Sequence, residues 1–312
     1  MNNFDPQYIN ITKQILNEGI DRPDRTGIGS RAIWGVYMRH NMSDGFPIIT
    51  HRKISLRIAF EELMWMLRGS SNVKELQDKN IHIWDGNSTR EFLDNRGLTY
   101  LPEGHIGKGY GFNIRNFGGS YAMTDPEPYY EDGKEIDKRS YPDYTKLDMN
   151  GTDQLKSLLD GLKNDPNSRR HLILQYNPNV VDESALPPCH LYHQYQILGG
   201  KLNSSFMLRS NDFLYGASYN WCFYALLNKI IANYLKIESG NLVYFGNDVH
   251  IYNNQMDFAN EVITRSWYDL PELIIHKQLN TMDDILSLEY SDIELINYKA
   301  YPDIKNKPPM AV

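Results

Sequence analysis

At 312 residues, 41% hydrophobic and 12% aromatic, the chain can bury a large core and holds material for one big domain or two ordinary ones. A net charge of −7 excludes a broadly basic surface, and with it general nucleic-acid or anionic-membrane binding, so an anionic ligand needs a local arginine cluster. Cys189 and Cys222 are too few for a disulfide framework and lack metal-ligand spacing, no stretch reaches the roughly 18 apolar residues of a spanning helix, and Met1 to Pro6 shows no leader pattern; free thiols, no metal and a cytoplasmic location are expected.

Tyr8 to Leu16 has helical apolar spacing and runs into Asp21 to Ser30, a loop dense in turn residues and arginine. Arg31 to His40 alternates and predicts a strand, which a turn region at Gly45-Phe46-Pro47 follows. Ile54 to Arg68 predicts a helix that is apolar nearly all round and therefore buried. Gly119 to Gly151 is rich in Tyr, Asp, Glu, Pro and Lys with few aliphatic residues, and reads as a surface insertion. Beyond it the pattern predicts a helix over Asp153 to Leu162, strands over His171 to Tyr176, His190 to Leu198 and Lys201 to Arg209, a long apolar helix over Tyr219 to Tyr234, and strands near Leu242 to Phe245 and Leu273 to His276. No repeat or flexible linker intervenes, so the expectation is a single α+β domain over residues 1–312, a large mixed sheet flanked by helices.

Five groups of residues could carry chemistry. In Leu186-Pro187-Pro188-Cys189-His190 two prolines stiffen the backbone directly before a thiol. A thiol with a reference pKa of about 8.5 needs nearby positive charge to become a nucleophile, which Arg209 on the next strand could supply. A buried structural cysteine is the plainer alternative, and Cys222, inside the apolar helix, fits it. Arg25, the Arg169-Arg170 pair and Arg209-Ser210 offer guanidinium forks and a hydroxyl suited to phosphate, though each alone could be a solvated charge. Glu62 faces Ile58, Trp65 and Met66 at helical spacing, a setting that raises a carboxyl pKa and makes it an acid/base candidate, whereas Glu61, with Arg57 four residues back, reads as an exposed ion-pair partner. Asp212 and Asn220 flank a helix entrance, and an amide matches the O4 and N3–H edge of uracil. His250 and Tyr252 share one face if extended and could hold a sugar hydroxyl, or be structural.

In this order the residues resemble the thymidylate synthase family, which includes the pyrimidine hydroxymethylases. The resemblance runs nearly end to end, through Asp24-Arg-Thr-Gly27, Asp44-Gly-Phe-Pro47, Ile83-Trp-Asp85, Tyr110-Gly-Phe112, Ser168-Arg-Arg170, Leu186-Pro-Pro-Cys-His190, Arg209-Ser210, Asn220, His250-Ile-Tyr252 and Met310-Ala-Val312. It implies a thymidylate-synthase-like fold that dimerises through its sheet. It implies further that Arg25, Arg209 and Ser210 bind the phosphate of dUMP with Arg169 and Arg170 reaching in from the other subunit, that Asn220 reads the pyrimidine, and that His250 and Tyr252 hold the ribose hydroxyl. Trp84, Asn87, Asp212, Tyr215, Gly216 and Val312 are then the folate-side residues, and 5,10-methylenetetrahydrofolate is the co-substrate. Cys189 would add to C6 and make C5 nucleophilic, Glu62 would manage protons through water, and Tyr110 would aid loss of the C5 proton.

The resulting exocyclic methylene has two fates: hydride from the folate gives dTMP and dihydrofolate, and water gives 5-hydroxymethyl-dUMP and tetrahydrofolate. Departures from the family pattern bear on this fork, chiefly Leu208 for Gln and Tyr215 for Leu, with Ser218 for Pro, Trp221 for Ile, His105 for Asp and Lys108 for Pro. A phenol at Tyr215 could hold a water against the methylene. A non-catalytic nucleotide- or RNA-binding relative is a third reading, and the presence of both Cys189 and Glu62 argues against it; no specific nucleic-acid partner is expected.

Overall fold

The computed structural model describes residues 2–131 and 133–304. In chain order it forms α1 (Phe4–Glu18), β1 (Ile20–Arg22), β2 (Ser30–Asn41), α2 (Leu56–Leu67), α3 (Lys74–Gln77), α4 (Arg90–Asn95), α5 (Tyr110–Asn116), β3 (Tyr121–Met123), β4 (Glu127–Glu131), β5 (Lys134–Arg139), β6 (Pro142–Leu147) and α6 (Gln154–Asn164). There follow β7 (Leu172–Leu174), β8 (His190–Leu198), β9 (Lys201–Asp212), α7 (Gly216–Leu235), β10 (Glu238–Tyr252), α8 (Met256–Val262), β11 (Glu272–Ile275), α9 (Met282–Leu286) and β12 (Ile293–Ile296). Two compact units result, one of Met1–Met64, Leu158–Ile173 and Cys189–Val312, the other of Trp65–Ser157 and Leu174–Pro188.

The first unit carries the expected large mixed sheet, ordered β1-β2-β10-β9-β8-β7. Strands β9 and β10 run parallel, while β1 with β2, β2 with β10 and β8 with β9 are antiparallel. Along β9, Leu202, Ser204, Phe206 and Leu208 are buried and alternate with half-buried Asn203, Ser205 and Met207, the period-two pattern of a sheet with one covered face. Helix α7 packs on that face. Phe206 stacks on Tyr224 with ring centroids 4.1 Å apart and meets Trp221 edge-on, an arrangement that uses both hydrophobic area and ring quadrupoles. The helix ends at Lys236, which adopts a left-handed conformation at its C-cap.

Two strand lengths and one side-chain exposure differ clearly from the sequence expectation. Strand β10 spans fifteen residues rather than the four near Leu242, because it pairs with β2 on one side and β9 on the other and so carries polar residues through the sheet. Strand β7 is only Leu172–Leu174. Glu61 is not exposed but buried, at 6%. The turn at Tyr290–Asp292 covers its side of α2, with the Tyr290 ring against Phe60 and the Tyr290 phenol raised by burial, lowered by Arg57 and raised by Glu61.

A buried carboxylate anchors α1. Asp5 accepts from the backbone N–H of Thr50 and His51 and from His51 Nδ1, and both Asp5 and His51 are fully enclosed. Burial pushes the Asp5 carboxyl up, but the His51 and Asn2 hydrogen bonds outweigh it and the net shift is down; burial likewise holds His51 below its usual value despite Asp5. Both shifts mean that the unfolded chain binds more protons than the folded one, so stability is full above about pH 6.5 and falls as acid titrates first the unfolded imidazole and then the carboxylates. Asp5→Asn is expected to cost about 3 kcal/mol at neutral pH and to flatten the acid limb of an unfolding curve measured against pH, because it leaves the partners of a buried charge unmatched.

The second unit holds short helices and the 119–151 insertion. The base of the insertion is closed by reciprocal backbone bonds between Phe117 and Thr152, and its strands form the antiparallel pairs β3 with β6 and β4 with β5. Strand β5 is exposed along most of its length, as expected of a surface insertion. In α5, Gly111 lies so close to the backbone that an added Cβ would sit 2.4 Å from the Ser70 carbonyl oxygen.

Candidate active site

In the first unit, Cys189 directly precedes β8, and its carbonyl accepts from Arg209 N–H at 2.9 Å, which fixes the thiol-bearing residue to β9. Cys189 is half-buried; Cys222 is enclosed and its thiol is pushed up by burial, the inert behaviour expected of it. Behind Cys189, His190 is buried with Nδ1 2.7 Å from the Tyr224 hydroxyl, and its pKa falls to about 4 through burial, opposed by the hydrogen bond it makes to the Asn220 side chain. Asn220 Nδ2 in turn donates to Asn211 Oδ1 at 3.3 Å, and Asn211 Nδ2 to the Tyr244 hydroxyl at 2.9 Å. The charge of half-buried Glu62 on α2 bears on the same network: burial raises the Tyr224 phenol well above its usual range, and the Glu62 charge raises it further. His190, Asn211 and Tyr224 had no sequence signal of their own.

Tyr252 lies within electrostatic range of several of the predicted residues. Its phenol is pushed up to about 12 by burial and then by Asp212 and Asp24, with Arg25 lowering it and Cys189 raising it. The His250 ring stands edge-on to Tyr252 at 5.0 Å, so the expected shared face holds. His250 Nδ1 lies 2.8 Å from Asp248, which also pairs with Arg22; neither was picked out in the sequence, though both sit beside motif residues. The loop bearing Arg25 is tied by Thr26 to Asp24, and Gly29, at φ 79°, packs so tightly that a Cβ would meet Asn253 at 2.4 Å. Arg25 is exposed and Ser210 half-buried. Arg169 and Arg170 are exposed ahead of β7, the Arg169 carbonyl accepting from Gln194.

Asp212 closes β9. Its Oδ1 accepts from Leu214 and Tyr215 N–H, and its Oδ2 from Gln255 Nε2 at 3.0 Å; burial still raises its pKa. Tyr215 is half-buried, with its phenol pushed up to about 12 by burial, lowered by Arg52 and raised by Asp212. Leu208 is fully buried opposite His190.

In the second unit Trp84 and Tyr110 are buried with ring centroids 5.7 Å apart, and half-buried Asn87 has an amide nitrogen without a partner among the described residues. Val312 lies outside the described residues. Among the described residues no group of three or more His, Cys, Asp or Glu side chains is placed to hold a metal ion, and no helix is long and apolar enough to cross a membrane.

The mixed sheet thus carries a half-buried thiol, Cys189, next in sequence to a buried histidine that hydrogen-bonds the Tyr224 hydroxyl and the Asn220 side chain. Residues 6–312 match the thymidylate synthase family, and the chain belongs to it. It is similar to the bifunctional dihydrofolate reductase-thymidylate synthase of Paramecium tetraurelia, 37% identical over 96% of this chain and 60% of that protein. The proteins of the same name from Zea mays (35% identical, 96% of this chain, 54% of that one) and Leishmania major (36%, 97% and 55%) are comparable. The chain thus spans little more than half the length of these relatives.

Proposed function

We propose that this chain, as one catalytic domain, transfers the one-carbon unit of 5,10-methylenetetrahydrofolate to C5 of dUMP, giving dTMP and dihydrofolate. The observation that carries this reading is Cys189 fixed to Arg209 beside a hydrogen-bonded His190 and Asn220. Cys189 adds to C6, and Arg209, Ser210 and Arg25 hold the phosphate as charge-assisted partners. Asn220 reads the base, His250 and Tyr252 the sugar, and Glu62 moves protons at O4 through water. Trp84, Asn87, Asp212, Tyr215, Gly216 and Val312 contact the folate, and Tyr110 aids removal of the C5 proton. The active form is a homodimer through the outer sheet face, each subunit lending Arg169 and Arg170 to the phosphate site of the other. Support comes from exposed Trp34, Tyr37 and Phe245 on β2 and β10, a run of apolar surface that a lone chain leaves wet. Two free thiols suit a cytoplasmic location. The test supplies dUMP and methylenetetrahydrofolate, follows dihydrofolate absorbance and weighs the nucleotide; turnover without dihydrofolate would sink methylation.

Tyr215 favours one second reading, attack of water to give 5-hydroxymethyl-dUMP. Its phenol beside Asp212 is a fixed polar group able to hold water against the exocyclic methylene. On that reading Tyr215→Phe lowers the hydroxymethyl share of product about tenfold by mass spectrometry, the loss of one hydrogen bond to a reacting water. An unchanged product ratio removes the phenol from the reaction.

A further inference from the structure

The turn Phe213–Tyr215, between β9 and α7, has all six of its backbone polar groups engaged. Phe213 N–H donates to the His250 carbonyl at 2.8 Å, and Leu214 and Tyr215 N–H donate to Asp212. The Phe213 carbonyl accepts from the Tyr8 hydroxyl, the Leu214 carbonyl from Arg52 Nη2, and the Tyr215 carbonyl from Ser218 Oγ at 3.0 Å. Arg52 Nη2 also donates to Ser218 Oγ at 3.0 Å, so one guanidinium group holds the turn directly and through the serine hydroxyl.

The cost of this arrangement makes it informative. Arg52 is 1% exposed, Asp303 Oδ1 lies 3.9 Å from its Nη1, and among the described residues its Nε has no hydrogen-bond partner. Burying a cation is costly, and here Nη2 directs its hydrogen bonds to the turn and to the serine that braces it. The guanidinium group lies 5.3 Å over the Phe258 ring, which itself meets Tyr215 at 5.5 Å, so the same cation bears on Tyr215 from below. Both acceptors are served from the one Nη2 nitrogen, whose two N–H bonds are held in the guanidinium plane at the end of a side chain longer than lysine's, so a lysine ammonium would not reproduce both bonds. The proline expected at position 218 from the family pattern could neither receive from Arg52 nor donate to Tyr215.

We propose that Arg52 and Ser218 are positioning residues for the folate substrate: together they fix the Phe213–Tyr215 turn and thereby the placement of Asp212 and Tyr215. This rests on the reading of those two residues as folate-side contacts. The test compares wild type with Ser218→Ala, Ser218→Thr and Arg52→Lys, by steady-state kinetics in both substrates and by amide hydrogen exchange over residues 213–219. Ser218→Ala and Arg52→Lys should raise KM for methylenetetrahydrofolate about five- to tenfold with KM for dUMP within about twofold, and speed exchange at Tyr215 and Gly216 about tenfold, the effect of one lost charge-assisted hydrogen bond. Ser218→Thr, which keeps the hydroxyl, should stay near wild type in both. Unaltered exchange in Ser218→Ala, or equal rises in both KM values, would overturn the proposal. A wild type inert toward folate would instead refute the proposed activity, and exchange alone would then decide whether the clamp exists.

Discussion

Cys189→Ser is expected to lower turnover by about four orders of magnitude or more while leaving dUMP binding within about tenfold, because it removes the nucleophile and little else. A hydroxyl in the same place is isosteric but holds its proton far more tightly than a thiol, and nothing else can replace the lost group. Cys222 is enclosed in α7 with its thiol pushed up by burial. His190 is buried and neutral at physiological pH, its pKa near 4, so it serves as a hydrogen-bonding neighbour and not as an imidazolium. The measurement pairs single-turnover kinetics with intact-protein mass spectrometry in the presence of nucleotide and folate. Wild type should show a covalent adduct on the peptide that contains Cys189, and the serine variant none. Residual turnover within a hundredfold of wild type would remove Cys189 from the nucleophile's role.

What could be read in the sequence depended on how local the determining interactions are. Strand β8 was legible to the residue because alternation and its flanking prolines and glycines are local signals, and α7 was legible because its apolar run is long. Cys189 stood out because two prolines precede it, and Asn220, His250 and Tyr252 because polar groups sit at a helix entrance or on one face of a strand. The network behind them was hidden. That His190 meets Tyr224, and Asn211 meets both Asn220 and Tyr244, depends on the register of β8, β9 and β10 and on how α7 crosses them, contacts that link residues up to 34 positions apart. The reading of Glu61 as exposed failed for a related reason: helical spacing names the neighbours within α2 but not Tyr290, which comes from far along the chain, meets Phe60 edge-on and senses the Glu61 charge. In the 119–151 segment β5 is almost wholly solvent-facing and β6 is at most half-buried, so no hydrophobic period announced them.

Asn220→Asp is expected to change the kcat/KM ratio of dCMP to dUMP by about 100-fold or more in favour of dCMP, as buried mismatched hydrogen bonds discriminate strongly. The asparagine amide offers one donor and one acceptor, which complement O4 and N3–H of uracil; a carboxylate offers acceptors only, which suit the amino group of cytosine. The surroundings permit the change at modest structural cost. A carboxylate at 220 would oppose Asn211 Oδ1, now 3.3 Å from the Asn220 nitrogen, but rotation of the Asn211 amide would turn its NH2 toward the new carboxylate. The Tyr244 hydroxyl, which now receives from Asn211 Nδ2, would then donate to the rotated carbonyl, since a phenol can do either. His190 remains able to donate to residue 220, and a carboxylate there would raise the low imidazole pKa that burial now sets. The variant should therefore show a new titration in its pH profile together with the altered preference, measured as initial rates on each nucleotide between about pH 5 and 8. An unchanged dCMP to dUMP ratio would mean that the base is read elsewhere, and a changed ratio without the new titration would mean that His190 does not sense the residue that reads it.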